Sequence, residues 1–133
     1  MQLGTLSGNP IAAAAGLKTM EVLNREGSYD QLRNTGRALQ DMQRSALDAV
    51  GIPYQICGDE TLFDIFFTTR QCRDYRSAEH DDPTRNVTYN ATLRQHGIFK
   101  SPAKLYPSLA ITSKDLDQTK AAVEHAVRSI SLA

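Results

Sequence analysis

The densest chemistry in this chain lies at its start, where Gly4-Thr5-Leu6-Ser7-Gly8-Asn9-Pro10 runs directly into Ile11-Ala12-Ala13-Ala14-Ala15-Gly16-Leu17. Pro10 suits the first helical position, where a missing N–H is no loss, and Asn9 is a favoured N-cap. Gly4 and Gly8 allow tight turns and close approach of a ligand. The hydroxyls of Thr5 and Ser7 stand beside backbone N–H groups at the positive end of a helix dipole. That grouping suits a phosphate. The same residues also make an ordinary loop and cap, and local chemistry alone favours that plainer reading because short glycine motifs recur by chance.

Other reactive side chains are scattered. His80 sits beside Asp81 and Asp82, but no further ligand follows at metal-binding spacing, so it reads as a solvated loop histidine and no metal site is expected. His125 reads as a surface residue. Cys57 and Cys72 are fifteen positions apart with no second pair; two unpaired thiols are the simpler reading, a disulfide the alternative. Asn86-Val87-Thr88 and Asn90-Ala91-Thr92 match the glycosylation pattern, most simply by chance on a polar helix face.

Composition limits the classes available. The chain has 133 residues, 41% hydrophobic and 23% charged, which fits one ordinary globular domain. Fifteen basic residues balance fifteen acidic ones without basic runs, which argues against nucleic acid as a partner. No apolar stretch is long enough to cross a bilayer and no secretory segment opens the chain, so no membrane partner and a cytoplasmic location are expected.

The elements follow from periodicity and caps. A first helix is predicted from Pro10 to about Glu26, with Met20 and Leu23 on its apolar stripe and Gly27 ending it. Ser28-Tyr29-Asp30-Gln31 starts a second, to about Ala49, with Leu32, Leu39, Met42, Ala46 and Val50 inward and Arg33, Arg37, Asp41 and Arg44 solvated. Strands over 54–57 and 62–68, joined by a Gly58-Asp59-Glu60 turn, make a hairpin with Phe63, Ile65 and Phe67 on one face. Residues 70–83 read as an exposed connection. A third helix capped by Asp82 or Thr84 runs to Gln95, held by Val87, Ala91 and Leu93. Short strands over 98–100 and 105–112 precede a last helix capped by Thr112 or Ser113, with Leu116, Val123, Val127 and Ile130 inward. The order describes an α+β layer: a short, largely antiparallel sheet with helices packed on one face.

The opening motif Gly-Thr-x-Ser-Gly-Asn-Pro with its alanine-rich helix resembles a segment of class III pyridoxal-phosphate-dependent aminotransferases and the related glutamate-1-semialdehyde aminomutases. Gly58 followed by Leu62-Phe63-Asp64-Ile65-Phe66-Phe67-Thr68 is similar to the family's glycine and phenylalanine-rich strand. Gly97-Ile98-Phe99-Lys100-Ser101-Pro102, Ser108-Leu109-Ala110-Ile111-Thr112 and Asp115-Leu116-Asp117 resemble its closing strand and last helix. The likeness spans nearly the whole chain, in family order.

The resemblance implies the small C-terminal α+β domain of a fold-type I enzyme, comprising residues 28–133, preceded by a phosphate-contact loop and linking helix over residues 1–27 that face a large domain. It implies that Gly4 and Thr5 contact the phosphate of pyridoxal 5'-phosphate across a homodimer interface, serving the neighbouring subunit. The family's Schiff-base lysine precedes the Gly-Thr pair; Lys18, Lys100, Lys104, Lys114 and Lys120 do not match it. No catalytic residue is therefore expected here, and the isolated chain is expected to be inactive. Aminomutases commonly carry Ser-x-Phe-Glu near the last strand, whereas Ala103-Lys104-Leu105-Tyr106 stands here without a glutamate. Lys104 and Tyr106 become candidate substrate-binding residues, with surface exposure and packing as the plainer roles. The departure favours an aminotransferase for an amino acid or amine over an aminomutase. A non-catalytic protein-binding domain is the alternative from another class.

Overall fold

A computed structural model of the chain describes residue 4, residues 8–102 and residues 104–132. These divide into two compact units, residues 1–31 and residues 32–133.

In the first unit, α1 (Pro10–Leu23) starts at the Asn9 cap and ends at Asn24. It is shorter than the sequence predicts because the chain turns before Gly27, which takes a φ of 76°. No residue of α1 is buried; Ile11, Leu17 and Met20 are all exposed. Ser28 opens α2 (Ser28–Val50), and its hydroxyl donates to the Val22 carbonyl oxygen at 3.0 Å.

The second unit is built around the hairpin of β1 (Gln55–Asp59) and β2 (Leu62–Phe66), paired antiparallel with Ile56 opposite Ile65 and Asp59 opposite Leu62. The turn falls at Glu60-Thr61, two residues later than the glycine suggested, because Gly58 pairs with Phe63 inside the ladder. Phe63, Ile65 and Phe67 are buried, as the alternation requires. A four-residue α3 (Tyr75–Ala78) interrupts the connection that follows, capped by Asp74 and Ser77 in a reciprocal box. Next come α4 (Pro83–Gln95), capped by Asp82, and α5 (Ser113–Ser131), capped by a Thr112–Asp115 box.

Val123, Ala126, Val127 and Ile130 of α5 close on Tyr89 and Leu93 of α4, Leu47 of α2, and Ile65 and Phe67. Phe67 and Tyr89 meet edge to face with centroids 5.4 Å apart. The Tyr89 hydroxyl reaches the buried Gln43 side-chain oxygen at 3.3 Å, and Gln43 donates to the Leu39 carbonyl at 2.8 Å. Val50 and Val87 are exposed, contrary to expectation; Leu47 and Tyr89 take the inward positions on their helices. The segments 98–100 and 105–112 do not form strands. Leu105 alone pairs with Phe63, through reciprocal backbone hydrogen bonds of 2.7 and 3.2 Å.

One close approach fixes the hairpin on α2. A Cβ at Gly36 would lie 1.8 Å from the Glu60 carbonyl oxygen. Arg33 and Arg37 grip the same turn from α2, with Arg33 bonding Asp59 and Glu60 at 3.0 and 3.1 Å. Alanine improves helix propensity over glycine by up to about 1 kcal/mol. The steric conflict with backbone outweighs that gain, since overpacking costs about 1–3 kcal/mol. Gly36→Ala is expected to destabilise the chain by about that amount, read as a lower urea midpoint.

Candidate functional site

Gly4 is exposed, with a φ of 154° that favours glycine. Thr5 lies outside the described residues, as do Leu6 and Ser7. Gly8 turns the chain at a φ of 81°, with nothing within 4 Å of a would-be Cβ. Asn9 then caps α1: its side-chain oxygen accepts from Ile11 and Ala12 N–H at 3.0 and 3.1 Å, and its carbonyl accepts from Ala13 at 2.9 Å. Pro10 has no N–H. The first-turn donors that the sequence offered to an anion are therefore occupied by the cap, and the helix supplies only the field of its dipole. Ahead of the cap, Gly4 presents exposed backbone without a side chain.

The other two candidate residues lie in the second unit. Lys104 and Tyr106 are both exposed, Tyr106 by 60%, and they flank Leu105, whose backbone is tied to Phe63. With Phe99, Lys100, Ile111 and Thr119 they line an open groove of about 190 Å³. Among the described residues, neither Lys104 nor Tyr106 has a side-chain hydrogen bond or ion pair. The groove thus presents a cation and a phenol beside aromatic and aliphatic walls, a combination that can receive a small molecule with a carboxylate.

A buried charge pair holds this segment, and the sequence reading missed it. Lys100 Nζ donates to Asp64 Oδ1 at 3.0 Å, with side chains only 7% and 10% exposed. It also donates to the Ser101 carbonyl at 2.9 Å and the Pro102 carbonyl at 3.4 Å, so all three ammonium protons are used. The available signal was Asp64 itself, a carboxylate inside Phe63-Asp64-Ile65-Phe66, which must find a partner if the strand is covered. Burial raises the Asp64 pKa above its ordinary 3.8, and the charge and hydrogen bond of Lys100 pull it back down.

The histidines and cysteines are placed elsewhere. His80 meets Arg70 Nη1 at 2.7 Å, and His125 stacks on His96 with centroids 4.3 Å apart. Both cysteines are free thiols. Among the described residues, no three His, Cys, Asp or Glu side chains converge as a metal site, and no helix is long and apolar enough to cross a membrane.

With a hairpin, capped helices and a C-terminal helix in this order, the chain matches a C-terminal portion of a class III pyridoxal-phosphate-dependent aminotransferase or aminomutase, a fold-type I enzyme. Relatives named glutamate-1-semialdehyde 2,1-aminomutase carry the likeness in sequence. That of Natranaerobius thermophilus is 36% identical over 121 residues, covering 89% of this chain and 28% of the relative. That of Methanopyrus kandleri is 35% identical, covering 95% and 30%. In structure, an omega-transaminase from Sphaerobacter thermophilus superposes with a TM-score of 0.83 at 26% identity, over 100% of this chain and 31% of the other. A transaminase solved with pyridoxal phosphate bound shares the fold, with a TM-score of 0.77 at 16% identity, over 99% and 30%. The chain spans about 30% of the length of the proteins it matches. No family model matches it.

Removing one partner of a buried pair leaves the other charge uncompensated, at a cost of about 3–5 kcal/mol. Lys100→Met is expected to show that deficit near neutral pH. Because the variant loses the group that lowers the Asp64 pKa, its folded form prefers the protonated acid even more. The deficit therefore grows as pH rises from 3.8 through the raised folded-state value and shrinks on acidification. Urea unfolding over a pH series from about 8 to about 4 measures it.

Proposed function

We propose that the chain is the C-terminal portion of a cytoplasmic class III aminotransferase acting on an amino acid or amine. In this reading residues 1–27 carry the phosphate-contact loop and linking helix, and residues 28–133 the small domain. Gly4 and Thr5 contact the phosphate of the cofactor across a homodimer interface, while a large domain of the same enzyme anchors the cofactor covalently. Pyridoxal phosphate, when bound, supplies the electron sink that lets an amino group pass between carbon skeletons. This chain's share is binding and orientation. Thr5 donates its hydroxyl to a phosphate oxygen, the Gly4 backbone lets the anion approach, and Lys104 and Tyr106 face the substrate from their groove.

The observation that carries the choice of aminotransferase is Tyr106, exposed beside Lys104 where aminomutases commonly carry a glutamate. The names of the curated relatives favour a second reading, a glutamate-1-semialdehyde 2,1-aminomutase portion. The two readings part on one assay. The longer enzyme given a panel of amino donors and keto acceptors is expected to transfer amino groups between them. Turnover of glutamate 1-semialdehyde alone establishes the second reading instead.

Two outcomes test the division of labour. The purified 133-residue chain, supplied with pyridoxal phosphate, is expected to transfer no amino groups in a coupled assay. In the longer enzyme, Thr5→Ala removes a hydrogen bond to a charged group, worth about 1.5–3 kcal/mol. Cofactor affinity is therefore expected to fall by about 10- to 100-fold, measured by equilibrium dialysis.

A further inference from the structure

Cys57 in β1 and Cys72 in the connection before α3 are distant in sequence but adjacent in the fold. The Cys57 thiol reaches the Cys72 carbonyl oxygen at 4.0 Å, and the Cys72 thiol reaches the Arg70 carbonyl at the same distance. Both residues are partly exposed. They line one side of an open groove of about 290 Å³ with Phe66, Arg73, Asp74 and Tyr75. Arg73 makes its side-chain hydrogen bonds to the neutral Gln71 and has no ion pair among the described residues, while Asp74 is engaged in capping α3. An anionic small molecule entering the groove thus meets the Arg73 guanidinium next to a thiol, with the Asp74 carboxylate engaged by Ser77.

We infer that Cys57 and Cys72 form a reversible redox site, closed to a disulfide by a carboxylate-bearing low-molecular-weight disulfide of the glutathione type. The Cys72 thiolate attacks one sulfur of that molecule, forms a mixed disulfide and expels one small thiolate. Cys57 then loses its proton to solvent, and its sulfur attacks Cys72, expelling the second small thiolate. One protein S–S bond replaces one small-molecule S–S bond. Two electrons pass from the protein thiols to the oxidant, which leaves as two thiols.

Cys72 lies in an exposed connection beside Arg73, whereas the Cys57 thiol is held more deeply in β1, so Cys72 meets the oxidant first. Burial, with the charge and hydrogen bond of Cys72, pushes the Cys57 pKa up to about 11. Cys57 is thus a slow resolving thiol at neutral pH, and its thiolate fraction grows about tenfold per pH unit below that value. The closed bridge ties β1 to the segment leading into α3, over a stretch whose ends are otherwise joined by the hairpin and a loop. Nothing in this site depends on the cofactor or on the aminotransferase reading.

The test uses the 133-residue chain, reduced and then incubated with oxidised glutathione. Thiol titration is expected to fall from two groups to none, and the mass to drop by about 2 Da with no glutathione retained. Non-reducing peptide mapping is expected to recover a Cys57–Cys72 link. Cys57→Ser is expected to stop at one glutathione on Cys72, and the rate of ring closure to rise about tenfold per pH unit between about pH 7 and 9. Persistent thiols, two retained glutathiones without ring closure, or a covalent dimer would each overturn the assignment.

Discussion

The ion pair between Lys100 and Asp64 is the constraint on which the geometry of the second unit's groove rests. It joins two segments with little other reason to meet: a core strand and a stretch that forms no regular structure. Leu105 adds a single backbone bridge to Phe63, and these two ties hold Lys100 and Leu105 against the hairpin. A buried pair of this kind contributes modestly to net stability, because desolvation offsets much of the attraction. Its consequence is positional. With Lys100 committed to Asp64 and two carbonyls, Lys104 is the lysine of this segment left to face the groove.

A similar division holds at the start of the chain. Asn9 satisfies N–H groups that a helix N-terminus would otherwise offer to an anion. In the proposed reading, glycine at position 4 matters for what it lacks, a side chain that would keep an oxyanion away. The alanine-rich α1 that follows buries nothing, with Ile11, Leu17 and Met20 exposed. The chain spans roughly 30% of its relatives' length.

The Asn9-Pro10 cap is legible in the residues alone, whereas the sequence leaves Asp82 or Thr84, and Thr112 or Ser113, open until the fold selects Asp82 and Thr112. The hairpin is legible from the alternation of Phe63, Ile65 and Phe67. The errors cluster where sequence periodicity competes with tertiary contact. Val50 and Val87 look inward by spacing, yet Leu47 and Tyr89 fill the core because they face α5 and Phe67. The segments 98–100 and 105–112 have strand-like composition but find no continuous sheet edge, so only Leu105 pairs.

The order of residues along the chain therefore settles what is local: helix starts, the hairpin, the motif order that relates the chain to a family of cofactor enzymes. These depend on backbone hydrogen bonds and side-chain periods that span a few residues. The long-range pairings had to await the folded arrangement: Lys100 with Asp64, Cys57 with Cys72, Gly36 against Glu60, His96 on His125. Each joins residues separated by 15 to 36 positions, and no local pattern encodes which partner a buried charge or thiol will meet. That choice follows from how the hairpin seats on α2 and how α4 and α5 close over it.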